Sequence, residues 1–283
     1  MYQLPLTLDY CQRWDHGHSS YHPPAETIRT VEYEVAAIAD DTTPRRFIEQ
    51  HHYAGSYPSA RFRFGLYHHA ELVGVAVFSH PCSNKVLTNV FPSLPVLSTV
   101  ELGRFVLLDE VPANGESFFA AACFHRLRQH DILGIVAFSD PLPRPTRDGS
   151  LRHLGHVGRI YQALNALYLG RSTPRSLRLF PDGSVLSDRT LQKLRQEERG
   201  WRAAAALLES HGASSAPADA TDRIQWLANA LPTITTKLPH HGNHRYAFPL
   251  SRHARIALLD RALPYPKFLD PTPTRAIWHT SAH

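Results

Sequence analysis

Cysteine is scarce: three in 283 residues, Cys11, Cys82 and Cys123, odd in number and far apart. No CxxC pair occurs, so neither a disulfide framework nor a zinc ribbon is indicated. The expectation is small buried hydrophobes in a reducing compartment. No stretch approaches the roughly 18 apolar residues that a membrane-spanning helix needs. The opening, MYQLPLTLDYCQRWDHG, lacks the basic-then-apolar order of a secretory signal. A cytoplasmic location with no membrane partner is therefore expected. Charge is also sparse, at 19% of residues against 43% hydrophobic, which excludes a disordered polyelectrolyte and allows a real core. There is no Gly-rich phosphate loop, no HExxH motif and no internal repeat.

Against these absences stand 19 histidines, 22 prolines and a formal net charge of +5 with a pI near 9.2. A basic excess favours an anionic partner such as nucleic acid, a phosphorylated cofactor or an anionic membrane surface. Along the chain, 1–27 has no clear period and reads as an extended arm. TVEYEVAAIA (30–39) alternates as a strand. DDTTPRRFIEQHHYAGSYP then supplies a helix, with Asp41 or Thr42 as cap and Gly55 and Pro58 past its end. Arg61–Tyr67 and Leu72–Phe78 read as a hairpin around 68–71. A third strand covers 98–109, a helix 112–131 with Asn114 as N-cap, and a buried strand 132–141. VGRIYQALNALYLGR (157–171) carries apolar residues at helical spacing, which predicts a helix with Val157, Ile160, Leu164 and Leu167 on its core face. Asp182-Gly183 marks a hairpin turn. Residues 188–213 read as one capped helix, IQWLANAL as a short one, TTKLPHHGNHRYAFPL (235–250) as basic and aromatic, and the tail from 264 as extended.

Chemistry has several candidate places. Asp140 closes a strand and precedes Pro141; it is either a ligand-facing carboxylate at a strand's carboxyl end or a local turn cap. Ser117 and Asn114 lie at a helix start, a natural anion site, though either residue serves there as a simple cap. His51 and His52, with Tyr53 and Tyr57, gather at a helix end. Tyr161 and Tyr168 sit at the edge of the 157–171 stripe, with Gln162 and Asn165 beside them; packing alone accounts for such tyrosines. The PHHGNHR histidines (239–245) have no metal-ligand spacing.

VELGRFVLLDEVPANGESFF, IVAFSDP and GHVGRIYQALNALYLG, taken in order with HHYAGS, resemble the Mom-type DNA modification proteins of phages, divergent members of the GNAT acyltransferase superfamily. The resemblance covers about residues 45–171. It implies an α/β fold, a GNAT-like splayed mixed β-sheet flanked by helices over 28–175; the remainder, 176–283, lies outside the resemblance and reads, from its charge and aromatics, as a hairpin and mostly helical extension that contacts DNA. It implies a transferase that carbamoylmethylates adenine N6 in double-stranded DNA and so protects against restriction. It also implies a transition metal such as iron, held by His52 or His156. By motif, the implied catalytic residues are His52, Tyr53, Ser117, Asp140 and Tyr161. Tyr57, Arg104, Asn114, His156, Gln162 and Asn165 are the substrate-binding candidates. Two departures stand out: fifteen residues, 141–155, separate Asp140 from His156, and VPANGESFF replaces the acetyl-CoA pyrophosphate signature. The donor is therefore unassigned. Two rival readings remain open, an acyl-CoA-dependent acyltransferase on a small molecule or peptide and a non-catalytic DNA-binding protein.

Overall fold

The computed structural model describes the backbone of residues 11–15 and 18–22 and the whole of residues 27–270. In chain order the elements are β1 (Cys11–Asp15), β2 (His18–His22), β3 (Tyr33–Ala37), α1 (Thr42–His51), β4 (Ala60–His68), β5 (Glu71–Ser79), α2 (Lys85–Thr88), β6 (Thr99–Leu107), α3 (Gly115–Arg128) and β7 (Gly134–Ser139). There follow β8 (Arg144–Pro145), β9 (Leu151–His153), α4 (Arg159–Ala163), β10 (Leu167–Arg171), β11 (Arg175–Leu179), β12 (Val185–Leu186), α5 (Asp188–Gln196), α6 (Trp201–Ser210), α7 (Ala220–Ile234), β13 (Thr236–His240), β14 (His244–Pro249) and α8 (Arg252–Leu259). The extended arm expected over 1–27 falls mostly outside the described residues; within it β1 and β2 pair antiparallel.

The chain divides into two compact units. The first takes the residues up to Pro141 with His156–Ser172 and Asn243–Phe268; the second takes Leu142–Gly155, Thr173–Gly242 and the residues from Leu269. This differs from the contiguous partition at 175/176 read from the sequence. The first unit is a mixed seven-stranded sheet in the order β10-β14-β7-β6-β5-β4-β3, in which β6 and β7 are parallel neighbours and the other pairs antiparallel. Its central strands are near-continuous apolar runs because both faces are covered. Period two sends Ala76, Phe78, Ile135 and Ala137 into the cluster shared with Phe119, Cys123 and Leu127 of α3. On the other face Val75 and Val77 meet Ile48 of α1, and Val136 meets Leu87 and Leu258. The α/β class with a mixed sheet and flanking helices is as expected.

Several local expectations need correction. The helix expected over 157–171 lasts five residues. Asn165, with φ of 57°, takes a left-handed turn, and Leu167–Arg171 continue as strand β10. Consecutive burial of Ala166, Leu167, Tyr168 and Leu169 is the mark of a strand covered on both faces, and it overrides the helical stripe. The single helix expected over 188–213 breaks into α5 and α6, because Glu197 and Gly200 both adopt left-handed backbone. IQWLANAL lies inside a longer helix, α7, whose N-cap Asp219 accepts from the amides of Thr221 and Asp222 at 2.8 and 3.2 Å. The basic and aromatic stretch 235–250 becomes two strands in different sheets; Tyr246, Ala247 and Phe248 of β14 are buried between β10 and β7. Cys123 is buried as expected, whereas Cys82 is exposed.

The second unit is smaller. A three-stranded sheet, β12-β11-β13, buries Leu177, Leu179 and Leu238 with Leu142. The turn at Asp182-Gly183 joins β11 to β12 as expected. Helices α5, α6 and α7 enclose Leu191, Leu194, Leu208, Trp226 and Leu231. Arg223 is wholly buried among them. It donates to the carbonyls of Pro217, Leu194 and Ala218 and lies 3.6 Å from the Trp201 ring centroid. The Leu194 carbonyl belongs to the last turn of α5, where no helical amide can reach it, so Arg223 satisfies what the helix end leaves open.

Candidate active site

The site starts from a defect in the sheet. β6 and β7 pair only from Thr99–Leu102 to Gly134–Ala137. Beyond that β6 continues with β5 as far as Leu107, and β7 continues with β14 through Ser139. The two strands therefore part, and the polar residues that follow the split gather there. Gly103 is the extra residue of a β-bulge, with Leu102 opposite Phe78 and Arg104 opposite Val77. Space is tight there: a Cβ would lie 2.5 Å from Ser79 Oγ and 3.1 Å from Pro58, so an added side chain would force the Ser79 hydroxyl to turn away. A bulge re-aims the side chain beside it. Here that side chain is Arg104, whose Nε and Nη2 donate to the carbonyl and hydroxyl oxygens of Ser56, both at 2.8 Å. Arg104 thus clamps the loop that carries His52 and Tyr53.

His52 stacks on Tyr53 at 4.4 Å, and the amide of Ala54 donates to His52 Nδ1 at 3.1 Å. The Tyr53 hydroxyl is 3.5 Å from His156 Nε2, with the two rings edge to face. The backbone amide of His156 donates to the carbonyl of Asp140 at 2.8 Å. The long 141–155 connection is therefore an excursion whose two ends are tied together at its base. Asp140 itself is buried where β7 ends. Tyr161 follows: its hydroxyl donates to the Phe138 carbonyl at 3.4 Å, and its ring packs on Tyr246 and Phe248. Gly158 makes this fit possible. Its φ is 73°, and a Cβ would come within 2.8 Å of both Tyr161 and Tyr246.

The electrostatics join these groups. Burial pushes the Tyr161 phenol far up, and the neighbouring Tyr53 and Tyr246 phenols and the Glu101 carboxylate add to the shift; Arg104 opposes it. Burial also raises the Glu101 carboxyl, against the pull of Arg104. The Arg104 guanidinium is lowered by burial and supported by Tyr53, Glu101, Tyr161 and Cys82. Glu101 was missed from the sequence. Its signal was a carboxylate set among Val100, Leu102, Phe105 and Val106, where a strand otherwise carries apolar residues.

The structure thus brings together His52, Tyr53, Asp140, His156, Tyr161 and Arg104. The other candidates are engaged elsewhere. Tyr57 donates to Asp41 Oδ1 at 2.8 Å beside Arg63, and burial followed by that acceptor takes its phenol up to about 12. Ser117 Oγ donates to the Asn114 carbonyl at 2.8 Å. Asn114 stands at the N-cap of α3 but makes no side-chain cap; its Oδ1 accepts from the Ile28 amide at 2.7 Å. Gln162 Nε2 faces the Val157 carbonyl, the Tyr246 hydroxyl and the Pro266 carbonyl at 3.1 to 3.2 Å. Asn165 is exposed at its turn. Among the described residues, the His, Cys, Asp and Glu side chains that could supply three ligands to one ion are Glu32, His68 and His69, a set that includes neither His52 nor His156.

Comparison with known proteins adds three findings. No protein of curated function matches the chain. Among solved structures, an N-acetylglutamate synthase from Neisseria gonorrhoeae, complexed with coenzyme A and N-acetyl-glutamate, is similar at 11% identity over 80% of this chain, with a TM-score of 0.33. The chain spans 36% of that protein's length. A tandem GNAT protein from the clavulanic acid biosynthesis pathway is similar at 12% identity over 76% of this chain and 74% of its own, also at 0.33. The Mom protein family model matches residues 32–267. That match takes in most of the chain, and the protein belongs to the Mom protein family.

Proposed function

We propose that the protein is a DNA base-modifying transferase that adds a carbamoylmethyl or related group to adenine N6. The observation that carries this reading is the convergence of Tyr53, His156, Glu101, Arg104 and Tyr161 where β6 and β7 part, in a chain of the Mom family. Adenine N6 is a poor nucleophile because its lone pair is delocalised into the ring. The reaction needs an activated carbon donor and an acceptor for the N6 proton. The lone pair forms the N–C bond, the donor's leaving group departs with its bonding pair, and the proton passes to a carboxylate. Glu101 suits that role: burial makes its carboxylate more basic than an exposed one, and Arg104 keeps part of it ionised. Asp140, beside His156, orients the amino group. Tyr161, held protonated by burial, donates to charge developing in the transition state. The base must leave the duplex to reach such a cleft, and the rings of His52 and Tyr53 offer a surface on which to stack.

The second unit supports the same reading with charge. Among the described residues it holds 12 Lys or Arg against 9 Asp or Glu, a net +3. Register sets Arg178 opposite Lys237. Like charges facing across a sheet destabilise it unless an anion lies over them, and a DNA backbone supplies one. The test is mass spectrometry of nucleosides from the DNA of cells expressing the protein. A modified deoxyadenosine that disappears with Asp140→Asn and with Tyr161→Phe supports the proposal. Unmodified deoxyadenosine in the presence of folded wild-type protein overturns it.

A further inference from the structure

A second group of chemistry-bearing side chains lies away from the cleft, at the turn that joins β4 to β5. His69 and Ala70 are its two central residues, and both have left-handed backbone, with φ of 46° and 70°. Tight hairpins favour Asn-Gly in that geometry, so a histidine followed by alanine is a strained choice. The strain has a geometric result. His68 and His69 are adjacent in sequence, and their rings stay 4.3 Å apart instead of pointing to opposite faces as on a strand. The one-turn helix Thr30–Glu32 brings Glu32 to the same place, with Oε2 3.8 Å from His68 Nε2. One ligand atom from each of Glu32, His68 and His69 lies within 4.8 Å of the others.

Two of the three side chains, His68 and Glu32, are also held from behind. The Tyr33 ring stacks on His68 at 4.5 Å and 12°. Arg29 Nη1 pairs with the other carboxylate oxygen of Glu32 at 2.6 Å, leaving Oε2 turned toward the imidazoles. Groups that orient a ligand from outside the coordination sphere are typical of metal sites. We infer that Glu32, His68 and His69 bind a borderline divalent cation of the zinc class. Two imidazoles and one carboxylate are a common three-ligand set for that class, with water in the fourth position. His69 is exposed at the turn and has room to close the remaining distance. Such an ion ties the Thr30–Glu32 turn to the β4–β5 hairpin.

Titration of the full-length protein with Co2+ tests this by the intensity of the visible absorption of a tetrahedral site. Wild type is expected to show one tightest equivalent. His69→Asn, which keeps a residue tolerant of left-handed backbone, and Glu32→Gln should each weaken it at least tenfold. His80→Asn, at an exposed histidine elsewhere, should not. If the tightest equivalent survives both site variants, or falls equally with His80→Asn, the inference is wrong.

Discussion

The two units place their polar residues in opposite ways. The first withdraws its site groups from water: Glu101, Arg104 and Tyr161 all have protonation shifted chiefly by burial. In the second, Arg175 and Lys237 stand in solvent, while its wholly buried cation, Arg223, is held by backbone carbonyls and an aromatic face. Withdrawn, mutually coupled groups suit bond making, because desolvation strengthens each interaction. Exposed cations suit a polyanion that must be gripped and released. On the proposed function the difference reads as a division of labour, with chemistry in the first unit and backbone grip in the second.

Changes in the cleft should break that contrast most sharply. Glu101→Gln should lower the yield of modified deoxyadenosine by roughly a hundredfold to ten-thousandfold, the usual range for losing a general base, with DNA affinity unchanged in a gel-shift titration. The sign of the pH dependence follows from the raised carboxyl pKa. A base with a raised pKa is protonated and idle on the acid side, so the rate should climb as pH rises through a value above that of an ordinary glutamate. Glu101→Gln should abolish that limb. Arg223→Leu acts on the second unit alone. It leaves three carbonyls without their donor, at about 1 kcal/mol or more each, so α5–α7 should lose hydrogen-exchange protection while β5–β7 keep theirs. Gly158→Ala should cost about 2 kcal/mol, from left-handed strain and the contacts with Tyr161 and Tyr246, measured by urea unfolding. The smallest effect belongs to Arg178→Ala with Lys237→Ala. Removing two phosphate contacts should flatten the plot of log affinity against log salt by about 1.8, without touching the chemistry at low salt.

Much of the sheet was legible in the chain. The hairpin of β4 and β5, the apolar strand β7 and the helix α3 are local patterns, each set by period and turn residues within about 20 positions. The motif order HHY, VELGR, FSDP and GHVGRIYQ likewise marked His52, Tyr53, Asp140, His156 and Tyr161. What was illegible was closure at a distance. His156 meets the Asp140 carbonyl across a fifteen-residue excursion, and the Ser172 amide meets the Asn243 carbonyl at 2.8 Å across seventy. Nothing local in LPHHGNHRYAFP says that its second half completes a sheet begun two hundred residues earlier. The 157–171 stripe misled for a related reason: a strand buried on both faces and a short helix turn, placed end to end, imitate helical spacing. Glu101 escaped notice because its meaning depends on the split between β6 and β7, which only the register reveals.

The division of labour is tested most directly by the yield of modified deoxyadenosine from purified protein and duplex DNA at roughly 50 mM and 200 mM salt, a range over which phosphate contacts weaken steeply. The Arg178→Ala, Lys237→Ala protein should approach wild-type yield at the lower salt and fall below it at the higher, whereas Glu101→Gln should stay inactive at both. Full activity of Glu101→Gln, or loss in the double variant that low salt does not restore, would contradict the assignment of chemistry to one unit and grip to the other.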